Sequence, residues 1–376
     1  MNERITLVIP TIRENCFKDF VKRWQDVGLF EHIDRFIVME DNPKRTFGVE
    51  RPTGHAPGAM VDHYSWEDIR QELGDKEWII PRRSDTVRSF AYYMAWAGYG
   101  GGPDGSNRIL PDYILTLDDD CYPCTAANDG LDYNGLGFLR GHVDYMEKTR
   151  WFNTLNSVKP RGIPFYNLGK TENRIIVNHG LWTNVLDYDA PFQLANPIKE
   201  EFSFDNHIVP AGLYFPMCGM NVMWRREATP LMYHLLMGQR KVMLPSVDGA
   251  KEGLLKLPFD RFGDIWCGIF MKKIADMMGC LVTTGMPYIR HERASNPFTN
   301  LKKEANGIEV NEDLWQHVDS FVMFDDDKPE FAYLYGELGK HIAGFIEKYP
   351  KYKEHDEYFH LLGKAMVQWA ELFKGE

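Results

Sequence analysis

Two kinds of apolar pattern alternate along the first third of the chain. Ile5–Pro10 (ITLVIP) is a continuous apolar run of strand length, and Arg35–Asp41 (RFIVMED) is a second that ends on acids. Between them, Phe17–Phe30 places Phe17, Phe20, Val21 and Trp24 at three- and four-residue spacing, which predicts a helix with one buried face. Thr86–Tyr99 carries the same helical signal, with Asp85 as its expected N-cap. A third strand, YILTLDDD, follows at Tyr113–Asp120. Strand–helix alternation of this kind predicts an α/β fold with parallel strands and helices on both faces. In such sheets ligands gather at the carboxyl ends of the strands, which here read IPTIR, MEDN and LDDD.

The pattern then changes. From about Trp151 to Pro297 the chain is dense in Gly, Pro, Trp and His, with short motifs (NHGLW, DYDAP, FPMCGMN, FGDIWCG, MPYIRH) in place of long periodic helices. That texture predicts a site built from loops. Helical spacing returns in Glu330–Tyr349 and Tyr358–Phe373. No internal repeat and no strong linker interrupts the chain, so one domain with a helical C-terminal extension is expected.

Composition narrows the function. With 376 residues, 44% hydrophobic and 26% charged, the chain can bury a large core and is not of a disordered class. Its net charge of −11 leaves no visible basic footprint for DNA or RNA, so no nucleic-acid partner is expected. The opening MNERITLVIP lacks the long apolar stretch and cleavage site of a signal peptide, and no apolar run reaches a membrane span. Six cysteines in a chain this size do not form a disulfide framework, and a cytoplasmic setting is expected.

The strongest chemical signal is Asp118-Asp119-Asp120 at the end of the third strand. Three adjacent carboxylates lose hydration and repel one another there unless a cation balances them. A strand ending in D-x-D suits a hard divalent ion with oxygen ligands, bridging carboxylates to a nucleotide-sugar diphosphate. Alternation along an extended chain puts Asp118 and Asp120 on one side, near the metal, and Asp119 on the other, towards sugar or ribose. A solvated acidic turn is the plainer alternative. His291, after a strand-like run, is a candidate third ligand or a structural histidine. Asp264 reads by default as a helix N-cap, or as a carboxylate presented to the sugar. Arg13, Arg82, Arg83 and Arg88 flank the strand ends, and Arg13 and Arg88 lead as diphosphate ligands. Gly100, Gly102 and Gly105 match GxGxxG in the wrong context, before a strand, and the LGKT at Leu168–Thr171 lacks the upstream glycine of a phosphate loop. Cys121 and Cys124 have no second ligand pair and read as ordinary thiols.

Taken together, IPTIR, LTLDDDC, FNTL, RGIPF, HGLW with DYDAP, FPMCGMN, PYI-H with ASNPF-NLKKE, and the closing YF-L-AMV-W resemble the reversibly glycosylated polypeptides, also called UDP-arabinopyranose mutases. They stand in the family's order over nearly the whole chain. The resemblance implies a GT-A-like glycosyltransferase fold, residues 1–305 forming a nucleotide-sugar domain and 306–376 a helical extension packed on it. It implies a UDP-sugar substrate, Mn²⁺ or Mg²⁺, interconversion of UDP-arabinopyranose and UDP-arabinofuranose, and reversible self-glycosylation of an arginine, which falls on Arg161. The family's acidic triplet falls on Asp118, Asp119 and Asp120, and its preceding helix arginine on Arg88; Asp41 ends the strand that reads Gln-Asp-Gly in the family and Glu-Asp-Asn here. Homo- or hetero-oligomers remain open. The chain departs at Leu168, where family members carry a second arginine, and in two inserted stretches, Gly98–Asp112 and about Gln239–Leu257.

Ring contraction requires UDP to leave C1, the ring to open and another hydroxyl to close it. Asp187, Asp189 and Asp264 are candidates to stabilise positive charge at C1, and His179 to bind a sugar hydroxyl. Arg161 acts either as a nucleophile relieved of its proton or as an electrostatic anchor. The competing functions are a transferase passing sugar to an external acceptor and a non-catalytic UDP-sugar-binding subunit.

Overall fold

A computed structural model describes residues 2–56, 58–101, 107–147, 175–185, 187–195, 204–246, 249–293, 295–323 and 330–374. Arg161, Leu168 and the RGIPF motif lie outside the described residues.

The apolar runs form the strands they predict. β1 (Ile5–Thr11), β2 (Arg35–Glu40), β3 (Met60–Tyr64) and β4 (Tyr113–Leu117) pair in parallel in the order β3-β2-β1-β4. Short β5 (Cys121–Pro123), β6 (Ile175–Asn184), β7 (His207–Val209) and β8 (Asn221–Arg225) follow, then β9 (Gln239–Ser246), β10 (Gly249–Lys256) and β11 (Leu281–His291). β8 is antiparallel to both β4 and β6, and β11 is parallel to β6. β6 and β11 therefore run in the same direction as β1–β4, and only β5, β7 and β8 oppose them. The nine strands form one sheet of order β3-β2-β1-β4-β8-β6-β11-β5, with β7 beside β11. The α/β architecture expected from the sequence is present, and its carboxyl edge gathers Thr11, Glu40, Leu117 and His291.

Both faces of the central strands are covered, which is why β1, β2 and β4 are largely apolar rather than alternating, while the edge strand β3 is part-exposed. On one face Leu7, Ile9, Val38, Leu115 and Leu117 pack with Phe17, Phe20 and Trp24 of the helix Glu14–Asp26 and with Phe138 of the helix Gly135–Met146. On the other, Val8, Ile37, Ile114 and Trp224 pack with the helices Arg88–Trp96 and Gly263–Met277. The core of that second face continues into the C-terminal helices, Pro297–Asp319, Phe331–Ala343 and Asp356–Ala370. The first of these runs straight through residues 305 and 306. Trp369 stacks on Tyr233 and donates its indole N–H to the Pro230 carbonyl at 2.9 Å.

Three local expectations change. The helix with Trp24 spans Glu14–Asp26 and stops before Gly28, whose φ of 76° ends the right-handed turn. Asp85 does not cap a helix; it opens the short 3₁₀ turn Asp85–Val87, because the buried His234 takes its carboxylate at 3.1 Å. Among the described residues the middle of the chain holds regular elements as well as loops: NHGLW lies in β6, PYIRH in β11, and FGDIWCG opens the fifteen-residue helix Gly263–Met277, while FPMCGMN is a loop as far as Met220. Periodicity misses these elements because they are buried on both sides. The stretch that looked inserted at Gln239–Leu257 is the β9–β10 hairpin, a separate two-stranded sheet.

Candidate functional site

The three aspartates leave β4 in a turn, with the Cys121 N–H donating to the Asp118 carbonyl at 3.1 Å. A turn fans the carboxylates apart more than an extended chain would, so each meets a different partner. Asp119 is buried and accepts from Thr11 Oγ1 at 2.6 Å and from Arg13 Nε at 3.2 Å. A second, short contact joins Arg13 Nη2 to the other oxygen of Asp119, and Nη2 also reaches Asp120 Oδ2 at 3.0 Å. Asp118 turns the other way and accepts from Arg88 Nη2 at 2.8 Å. Burial pushes the Asp118 carboxyl up to about 6, against the charge of Arg88 and with that of Asp120 and Asp119. Asp119 is raised for the same first reason, burial, while Arg13 opposes it. Two guanidiniums thus balance three acids, which a sequence reading of Arg13 and Arg88 as diphosphate ligands does not anticipate.

Arg88 is buried and fully engaged. Besides Asp118, it donates to the Gly219 carbonyl at 2.7 Å and the Asp85 carbonyl at 3.2 Å. Gly219 has to be glycine for this approach: a Cβ there would lie 3.0 Å from Arg88 Nη1 and 3.1 Å from His234 Cε1. The Gly219 N–H donates to Asp264 Oδ2 at 3.0 Å, and Asp264 Oδ1 accepts from Ile265 N–H. Asp264 is therefore not the N-cap, which is Phe262, but a first-turn residue tied to the FPMCGMN loop. Burial raises its carboxyl to about 7, with the charge of Asp85 adding and the Gly219 N–H opposing. Asp85 goes the opposite way. Its burial is outweighed by the hydrogen bond and charge of His234 and by Arg88 and Arg261, which hold it at about 2.

The remaining sequence candidates separate. His291 closes β11 beside β5, and its Nε2 faces Asp120 Oδ1 at 3.8 Å while Nδ1 meets the Val185 carbonyl at 2.9 Å. Asp41 is buried and accepts from Trp66 Nε1 at 2.7 Å and the Arg83 N–H at 3.2 Å, both through Oδ1. Burial raises its carboxyl. Arg82 is locked to Glu77 and the Ile80 carbonyl, while Arg83 is exposed over the Trp66 ring. His179 has both ring nitrogens committed: Nδ1 to Thr284 Oγ1 at 2.9 Å and Nε2 as acceptor from the Cys218 N–H at 3.3 Å. Burial lowers it to about 4, so it is neutral and pins the 215–221 loop without a free nitrogen for a sugar. Asp189 is exposed and caps the helix Ala190–Ala195 through the Phe192 N–H. Asp187 accepts from Cys218 Sγ at 3.3 Å and lies 4.0 Å from Arg261, which is bound to Glu304. Thr11, Cys218, Gly219, Arg261 and His234 carry no role in the sequence reading, although Thr11 lies in IPTIR and Cys218 and Gly219 in FPMCGMN; Arg261 and His234 carry no signal.

A hydrogen bond from His291 Nδ1–H to a carbonyl leaves the Nε2 lone pair turned towards a carboxylate oxygen, the orientation a metal-ligating histidine needs. Asp120 and His291 fit a divalent ion; among the described residues no group of three His, Cys, Asp or Glu side chains is placed to hold one. The six cysteines are free thiols, and none of the described helices is long and apolar enough to cross a membrane.

These features define an α/β protein with an arginine-balanced acidic cleft at the carboxyl edge of its sheet. The chain belongs to the reversibly glycosylated polypeptide family, whose model matches residues 1–376. It is 33% identical over 383 aligned positions to UDP-arabinopyranose mutase 3 of Arabidopsis thaliana, covering 100% of this chain and 92% of that one. It is 32% identical to a probable UDP-arabinopyranose mutase 1 of Zea mays, covering 99% and 90%. A glucosyl-3-phosphoglycerate synthase from Mycobacterium tuberculosis, solved with Mg²⁺ and uridine diphosphate, aligns at TM-score 0.38 and 13% identity over 84% of this chain and 79% of that one, too distant to bear on function.

Proposed function

We propose that this protein interconverts UDP-arabinopyranose and UDP-arabinofuranose. The observation that carries the reading is the charged cluster in which Arg13, Arg88, Asp118, Asp119, Asp120 and His291 converge at the carboxyl edge of the sheet, in a chain whose relatives are named UDP-arabinopyranose mutases. The substrate brings a dianionic diphosphate to a site where two guanidiniums already balance three acids. Asp120 and His291 would hold Mn²⁺ or Mg²⁺, joined by Asp118 if it leaves Arg88, and the ion would supply positive charge to the departing diphosphate. Arg13 exchanges its carboxylates for phosphate oxygens, which suits a planar fork. Asp41 keeps Oδ2 for the nucleoside, since Trp66 and Arg83 occupy Oδ1. Arg161 captures C1 once a carboxylate takes its proton, which accounts for self-glycosylation. Residues 306–376 brace the catalytic part, and none of the described ones contacts the acidic turn.

The test is incubation of purified protein with UDP-arabinopyranose and Mn²⁺, with chromatographic separation of nucleotide sugars and intact-mass measurement of the protein. A UDP-arabinofuranose peak lost with EDTA and in Asp120→Asn supports the reading, and a pentose mass absent from Arg161→Ala places the covalent step. UDP released only when an external acceptor is added sinks the mutase in favour of a transferase.

A further inference from the structure

Ring contraction has a proton requirement that follows from its bonds alone. In the pyranose, O5 is in the ring and O4 carries a hydrogen; in the furanose the two are exchanged. The C1–O5 bond breaks, its electron pair stays on O5, and O5 takes a proton. The C1–O4 bond forms from a lone pair of O4, and O4 gives up its proton. The net change is one proton moved from O4 to O5, with no oxidant, reductant or water consumed. One side chain able to take the first proton and return it to the second atom suffices.

We propose that Asp264 is that group: its carboxyl takes the O4 proton and delivers it to O5 within the same bound sugar. This rests on the mutase reading and adds to it the residue that moves the proton. Geometry selects Asp264 from the acids of the cleft. Asp118 is paired with Arg88, and Asp119 and Asp120 with Arg13. Asp85 is held by His234 and Asp187 lies beside Arg261. Asp189 caps a helix at the surface. Asp264 forms no ion pair among the described residues, and its two oxygens each accept one backbone N–H, so each keeps a lone pair for a hydroxyl. It is half-buried between buried Phe262 and Gly263 on one side and the 215–221 loop on the other. Gly219 joins it to Arg88, and Arg88 to Asp118, so it sits two residues from the acidic turn.

The surrounding charges suit a group that must both take and give a proton. Asp85, from the 3₁₀ turn before the helix Arg88–Trp96, and Asp187, from the segment after β6, face it as acids, and Arg88 opposes them. Arg261 precedes it on its own segment, Cys267 stands one turn along its helix and Cys218 in the loop. Burial, with Asp85 and Asp187 adding and Arg88 opposing, brings the carboxyl to about 7, where both protonation states are populated, while Asp85 at about 2 stays charged.

The experiment separates departure of UDP from ring contraction. UDP-arabinopyranose labelled with ¹⁸O at the bridging oxygen is incubated with the wild type and with Asp264→Asn. Scrambling of the label into non-bridging positions reports reversible C1–O cleavage, and UDP-arabinofuranose reports contraction. The expected result is scrambling within about threefold of wild type and contraction lower by about 10²–10⁴-fold, the usual contribution of general acid–base catalysis. Equal loss of both overturns the proposal and assigns Asp264 to the charge at C1; loss of neither also overturns it. Failure of the wild type to form any furanose instead defeats the mutase reading. Should Asp264→Asn not fold, the wild type answers by its pH profile. Contraction is expected to show a limb near pH 7 that scrambling lacks, and a limb shared by both overturns the shuttle.

Discussion

Removing the Arg88 guanidinium is the most informative single perturbation of the cleft. Arg88→Met keeps most of the aliphatic volume and deletes three donors at once, to Asp118, the Gly219 carbonyl and the Asp85 carbonyl. Arg88 is only 4% exposed and the Asp118 side chain 26%, so water replaces the lost bonds only in part. Breaking a buried ion pair by removing one partner costs about 3–5 kcal/mol, because the other charge is left without compensation. At roughly 2.1 cal/mol/K per residue, unfolding 376 residues releases about 0.8 kcal/mol/K, so the loss lowers Tm by about 4–6 °C. Calorimetry at neutral pH reads this directly. The double variant Arg88→Met/Asp118→Asn removes the uncompensated charge and is expected to recover about 0.5–3 kcal/mol, the range of coupling for residues in contact. Arg88→Lys, with one point charge for three acceptors, falls between. A Tm within 1 °C of wild type for Arg88→Met, or strict additivity with Asp118→Asn, refutes the argument that this pair holds the acidic turn.

Four further outcomes follow from the same geometry. Trp369→Ala removes the ring stacked on Tyr233 and the bond to Pro230, and costs about 3–5 kcal/mol in chemical denaturation; an unchanged midpoint would detach the C-terminal helices from the core. Gly219→Ala forces Arg88 and His234 apart and destabilises by about 1–3 kcal/mol with weaker UDP binding by calorimetry. His291→Ala lowers Mn²⁺ affinity in the presence of UDP by tenfold or more, read by spin-resonance titration of free Mn²⁺, while UDP binding without metal is unchanged. Asp264 keeps its proton up to about pH 7 when folded and loses it near 4 when unfolded, so its contribution to stability falls as pH rises through that window. The Tm of Asp264→Asn minus that of wild type should widen from pH 4 to 7 and level above it; a difference independent of pH contradicts the burial assigned to this carboxyl.

The sequence by itself determined the first parallel strands, the acidic triplet at the end of one of them, and the family. Continuous apolar runs such as Ile5–Pro10 force burial on both faces, and three adjacent aspartates force a compensating charge, whatever the surroundings. It also placed Arg13, Arg88 and the aspartates in one cleft, because parallel strands bring their carboxyl ends to one edge. Only the tertiary structure decided who neutralises whom. Asp85 looks like a helix cap until His234, 149 residues away, takes its carboxylate. His179 looks free until Thr284 and Cys218 occupy both nitrogens, and His291 meets Asp120 only because β11 pairs with β5. Asp264 and Asp85 are the same residue type with opposite proton affinities, since one is buried without a cation and the other is bonded to an imidazole. Periodicity records which face of an element avoids water. Proton affinity depends on the few ångströms around a carboxyl, and those are set by residues far apart in the chain.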